Sequence, residues 1–150
     1  MSEQAPLPPL PHTFRPGRTR VVLLTAAVAI FAVVAAVALL LDRLGPGERV
    51  SFIFTGALLS AVVVLLARPK VVAEESGVTV VNFASTRRLE WAEIIRVNLR
   101  VGDPWVFLDL SDGTSLAAIG IQPGIAKQQA IADANTLRAL VEARAQERQG

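Results

Sequence analysis

Two stretches without a charged side chain, residues 21–41 and 50–67, constrain this chain more than any other feature. As helices they would reach roughly 31 and 27 Å, at about 1.5 Å per residue. The hydrocarbon core of a bilayer is about 30 Å thick. The second run gains reach from Arg49 and Arg68 at its ends, whose long stems can extend toward headgroups. An ordinary soluble domain has no place for two such runs, and 150 residues are too few for a large transporter bundle. A cleaved signal peptide is the alternative for the first run, since Arg15, Arg18 and Arg20 resemble its basic leader. A signal core is about 7–15 residues long, however. This run is longer, and no small-residue cleavage site follows Leu41. The pattern predicts an α-helical transmembrane hairpin over residues 20–68.

Between the runs, Gly45, Pro46 and Gly47 form a strong turn signal. So short a connection joins only neighbouring antiparallel helices, which places both termini on one side. Arg15, Arg18 and Arg20 precede the first span, Arg68 and Lys70 follow the second, and the turn holds Arg43 and Arg49. The excess of flanking bases predicts a multi-pass cell-membrane protein with both termini cytoplasmic. No ionisable side chain lies inside either span, which argues against transport by the hairpin alone. Small residues recur at four-residue spacing in Ala32 and Ala36, Gly56 and Ser60, and Ala57 and Ala61. They suit close helix packing within the hairpin.

Charge divides by region. Residues 1–69 carry six Arg and three acids, and residues 70–150 carry nine bases and ten acids. The pI of about 9.9 reflects the absence of Tyr and Cys more than a basic surface. A nucleic-acid footprint needs a basic patch on the folded domain, so nucleic acid is not an expected partner. With no Cys, disulfides, thiol catalysis and Cys-ligated zinc are excluded. Residues 1–19 hold five Pro and are expected to be an extended, disordered leader. The single His, His12, lies in that leader.

The texture changes at Pro69, and residues 69–150 are expected to form one α+β domain. Turn signals at Glu75, Ser76 and Gly77, at Ala84, Ser85 and Thr86, at Gly102, Asp103 and Pro104, and at Ser111, Asp112 and Gly113 separate about six short strands. Residues 87–91 read as a short strand. Residues 94–101 alternate, with Ile95, Val97, Leu99 and Val101 on one face. Residues 127–147 then read as an amphipathic helix whose stripe is Ala130, Ala134, Leu137 and Val141, widened by Ile131 and Leu140.

The segments Glu74-Glu75-Ser76-Gly77-Val78-Thr79-Val80 and Arg88-Leu89-Glu90-Trp91-Ala92-Glu93-Ile94 carry a resemblance. So does Trp105-Val106-Phe107-Leu108-Asp109-Leu110-Ser111-Asp112-Gly113-Thr114. This part of the chain resembles a bacterial pleckstrin-homology-like (PH-like) domain, of the actinobacterial kind that follows a two-helix membrane hairpin. The resemblance implies an antiparallel β-barrel or sandwich capped by the C-terminal helix. It does not imply an activity.

Some relatives of that fold bind phosphoinositides through bases around the first hairpin loop. Here that loop is acidic, Glu74-Glu75-Ser76-Gly77, and cannot neutralise a multiply charged phosphate. Arg87 and Arg88, with Lys70, remain candidates for contact with anionic headgroups. Trp91 and Trp105 are expected in the core, with an interfacial place as the alternative. Asp109 with Asp112, and Glu74 with Glu75, are acid pairs without a His or Cys to complete a ligand set. No catalytic residue, cofactor or metal site is expected. The chain reads as a non-enzymatic, membrane-anchored interaction module for a protein or peptide partner, possible also as a homo-oligomer. Direct lipid-headgroup binding, and an accessory subunit of a transporter or envelope enzyme, are the alternatives.

Overall fold

The computed structural model describes residues 6–150 as two compact units. One is residues 17–68. The other joins residues 6–16 to residues 69–150.

The first unit is a pair of antiparallel helices, α1 (Gly17–Leu40) and α2 (Pro46–Leu66). Both are long and apolar enough to cross a membrane. At 24 and 21 residues they reach about 36 and 32 Å. Each starts earlier than its uncharged run. Nothing between Gly17 and Arg20 breaks a helix, so Arg18 and Arg20 lie in the opening turns of α1. Pro46 and Gly47 were expected in the turn and instead open α2. Proline at the first helical position loses no hydrogen bond and has a helical φ already. The Glu48 carboxylate accepts the Gly45 N–H at 3.0 Å and fixes that start. At the other side of the turn, the Arg49 guanidinium donates to the Leu41 carbonyl at 3.3 Å, just beyond the end of α1. Cations suit a helix C-terminus.

The two helices pack through small residues. A Cβ on Gly56 would lie 2.9 Å from Val34 Cγ1, and the Ser60 hydroxyl donates to the Ala27 carbonyl at 2.9 Å. Ala27, Ala38 and Gly56 are buried, whereas Ala32, Ala36, Ala57 and Ala61 face outward. Only the Gly56–Ser60 pair of the three spacings serves this contact. Most large apolar side chains of α1 and α2 are exposed.

The second unit is an open sandwich of two antiparallel sheets. The first sheet has the order β1 (His12–Phe14), β2 (Lys70–Glu74), β3 (Gly77–Val81), β4 (Thr86–Leu89). The second has β5 (Ile94–Asn98), β6 (Val106–Leu110) and β7 (Ser115–Ala118). A 3-10 turn, Trp91–Glu93, links the sheets, and α3 (Lys127–Gln149) follows the last strand. Val71, Val78, Val80, Leu89, Val97, Leu108 and Ile121 form the core with Ala130, Ala134, Leu137 and Leu140 of α3.

Three expectations are corrected here. Residues 1–19 are not an extended leader throughout. His12, Thr13 and Phe14 pair with Ala73, Val72 and Val71 of β2, and α1 has begun by Gly17. Phe14, only 2% exposed, lies in the sandwich core, and burial of that ring draws the segment onto the free edge of β2. Residues 1–5 lie outside the described residues. The alternation across residues 94–101 also fails. The register shifts between Ile94 and Arg96, so Ile94 is buried and Ile95 turns out. An extra residue in one strand of a pair has that effect. The strand then ends at Asn98, because Arg100 to Asp103 form a turn with Gly102 at φ 91°. Lastly, β4 stops at Leu89. Trp91 belongs to the 3-10 turn, buried, with its indole N–H donating to the Glu74 carbonyl at 2.9 Å. Trp105 is half-buried.

Phe14→Ala should destabilise the domain by about 3–5 kcal/mol, the usual cost of emptying an aromatic core site. Urea unfolding followed by Trp fluorescence checks this. Gly56→Leu should weaken the hairpin by about 1–3 kcal/mol through overpacking against Val34, read as a lowered midpoint for loss of helix in detergent.

Candidate functional site

The domain has two ends of different chemistry. At one end lie the β2–β3 turn, the 3-10 turn, the β6–β7 turn and the C-terminal half of α3. Acids gather there: Glu74, Glu75, Glu90, Glu93 and Asp112. Each that has a described contact is engaged. The Arg144 guanidinium donates to Glu75 at 2.8 Å and Glu147 at 3.3 Å, and lies 5.7 Å from the centroid of the Trp91 ring. Those contacts hold its proton more firmly than usual, with the Glu75 bond the main cause. Asp112 accepts from the Thr114 hydroxyl and N–H, which keeps its carboxyl below the ordinary range. Glu93 accepts the Glu90 N–H at 2.7 Å. In the first hairpin loop itself, both carboxylates have an arginine partner, Glu74 with Arg88 and Glu75 with Arg144.

Arg87, Arg88 and Lys70, the candidate headgroup contacts, do not converge. Arg88 turns toward the acidic end, donating to the Ser76 hydroxyl at 2.8 Å and lying 3.8 Å from Glu74. Arg87 is exposed on β4, opposite Val80. Lys70 is two strands away at the other end, opposite Val81. Of the arginines expected to flank the spans, Arg18 and Arg20 are in α1, Arg49 is in α2, and Arg43 lies in the turn. Arg15 and Arg68 lie in the two short connections between the units.

The acid pairs do not combine either. Asp109 accepts from the Asn98 amide at 2.6 Å, a contact within the β5–β6 ladder. Among the described residues, no three of His, Asp and Glu gather closely enough to hold a metal ion. A cleft of about 300 Å³ runs between Pro6, Leu7 and Pro8 and the α3 residues Asn135, Ala139 and Gln146. It is a seam where the N-terminal segment lies along the helix. A second, about 290 Å³, lies where residues 99–103 meet the start of α3.

The arrangement offers sheet edges more than a reaction centre. β2 has accepted an extended segment, residues 12–14, from far upstream in the chain. At the opposite side of that sheet, β4 ends the order, with Thr86, Arg87 and Arg88 exposed. The sequence read β4 as a strand but gave no sign of β1, because three residues among prolines carry no period.

Residues 68–140 match the family model described as Bacterial PH domain. The chain carries a bacterial PH domain. The uncharacterized proteins Rv1417 of Mycobacterium tuberculosis and Mb1452 of Mycobacterium bovis are 31% identical to it over 94 residues. That match covers 63% of this chain, which spans about 60% of the length of each relative. No solved structure matches. The family resemblance drawn from the residues around Trp91 and Trp105 holds, as does its actinobacterial character in these relatives.

One group in the PH unit gives a pH-dependent expectation. Burial raises the Asp133 carboxyl above its ordinary value, against a hydrogen bond from Gln129 and the nearby His12. The folded state therefore holds this proton more tightly than the unfolded chain. That group's contribution is fully present below the ordinary carboxylate pKa and is lost as pH rises through the raised value. Asp133→Asn should unfold at a higher temperature than the parent at neutral pH, with the gap closing in strong acid. Thermal melts across pH check both parts.

Proposed function

We propose that this protein is a membrane-anchored, non-enzymatic PH-like module that holds a protein or peptide partner at the membrane surface. The observation that carries the reading is the insertion of two membrane-length apolar helices between β1 and β2 of one sheet. Only Arg15 and Pro16 connect β1 to α1, and only residues 67–69 connect α2 to β2. Such tethers leave a domain little freedom to depart from the bilayer. They also raise its local concentration at a membrane target, so a weak contact suffices.

The docking place in this reading is the free edge of β4. Main-chain groups at a sheet edge can pair with an extended peptide, and alternate side chains then select it. Arg87 and Arg88 would favour a segment with acids. In this reading the bases that flank the helices favour cytoplasmic termini. The alternative of an accessory subunit that meets its partner through α1 and α2 would put the contact on the outward apolar faces instead.

Photo-crosslinking probes at Arg87 and at Leu58, in the full chain in native membranes, separate these readings. A discrete protein adduct from Arg87 and none from Leu58 is expected. Adducts from Leu58 alone would favour the accessory-subunit reading and overturn docking on β4.

A further inference from the structure

The end of the PH unit that holds both connections to the helices also carries Val101, the most exposed large apolar side chain among the described residues, and Ile125. β1 runs toward Arg15, and β2 begins at Lys70. The backbone of Gly120 packs on Lys70 so closely that a Cβ there would lie 2.5 Å from the Lys70 Cα. The Asn82 side chain donates to the Ala117 carbonyl at 2.8 Å and accepts the Ile119 N–H at 3.1 Å. The Val106 N–H donates to Ile121 at 2.9 Å. These contacts bring the ends of β5, β6 and β7 at Asn98, Val106 and Ala118 to the end where Lys70 lies.

Two loops leave the sandwich at this end, residues 99–105 and 122–126. Val101, at the tip of the first, is 98% exposed, and Ile125 in the second is 60% exposed. Turn tips are ordinarily filled by Gly, Asn, Asp or Ser, so an apolar tip on each of two adjacent loops is out of place in water. Arg100 and Lys127 flank them, both exposed. Asp103, in the first loop, accepts the Arg100 N–H at 2.8 Å. Glu74, Glu75, Glu90, Glu93 and Asp112 lie at the opposite end. Two exposed apolar loop tips flanked by bases thus lie where the tethers leave, and the cluster of acids lies at the other end, where Ile95 is the exposed apolar side chain.

We propose that residues 99–105 and 122–126 dock the PH unit onto the bilayer that its helices cross. Val101 and Ile125 enter the boundary between headgroups and acyl chains, and Arg100 and Lys127 lie among anionic headgroups. Apolar side chains flanked by bases are the pattern of surfaces that lie in the membrane interface. The contact is made on the end away from the acidic first hairpin loop. The inference rests on the reading that α1 and α2 lie in the membrane.

The chain has no Cys, so single labels can be placed at will. Val101→Cys, Ile125→Cys, Ser111→Cys and Val33→Cys, each carrying an environment-sensitive fluorophore, are reconstituted as full chains. The vesicles contain phosphatidylethanolamine and phosphatidylglycerol, with spin-labelled lipids as quenchers. Labels at 101 and 125 should show blue-shifted emission and lose fluorescence to quenchers placed near the headgroups. The label at 111, on the opposite end, should do neither, and the label at 33 should be quenched by deep spin labels. If position 33 is quenched while 101 and 125 behave like 111, the docking surface is wrong and the membrane reading stands. If position 33 is not quenched, both fall.

Discussion

Pairing of β1 with β2 is the constraint on which the rest depends. It makes one sheet out of segments that lie on either side of two apolar helices. A strand ladder of three residues is weak by itself, but Phe14 enters the core and ties the ladder to the burial of an aromatic ring. The PH unit therefore includes residues upstream of the helices, and the hairpin is an excursion from within a sheet. Both helices are joined to neighbouring strands, so the end of the sheet where they leave is set by the register of β1 and β2.

That placement gives the distribution of charge a meaning that composition does not carry. Residues 70–150 have ten acids against nine bases and look neutral in bulk. In the fold Glu74, Glu75, Glu90, Glu93 and Asp112 lie around the β2–β3 turn, the 3-10 turn and the β6–β7 turn, where Arg88 engages Glu74 and Arg144 engages Glu75. The opposite end keeps Arg100 and Lys127 beside apolar loop tips. Phosphoinositide recognition at the first hairpin loop is disfavoured twice over: the loop is acidic, and its carboxylates are already partnered.

Much of this was legible in the residues. Long uncharged runs, turn signals at fixed spacing and the stripe of Ala130, Ala134, Leu137 and Val141 each depend on local period, and each marks its element. The PH resemblance rests on scaffold residues such as Trp91, which seals the sandwich by bonding to Glu74. The misses share a cause. β1 has no period of its own and exists because a distant edge was free. Ile95 and Val101 were assigned inward by strict alternation, which one bulge and one turn undid. Arg87, Arg88 and Lys70 were grouped by charge alone, and the register sets Lys70 on β2 with β3 between it and the two arginines. Gly56 and Ser60 could not be told from other small pairs until Val34 and Ala27 were seen opposite them. No functional residue could be fixed from the sequence, since sheet edges and loop tips carry no local motif.

Oxidative closure of a cysteine pair across β1 and β2 tests the central claim most directly. Thr13 and Val72 are register partners, as are Val72 and Thr79 in the adjoining pair of strands. In the full chain in membranes, Thr13→Cys with Val72→Cys should form an intramolecular disulfide, at a yield independent of protein concentration. Val72→Cys with Thr79→Cys serves as the reference. Closure of the reference pair without closure between positions 13 and 72 would contradict the account.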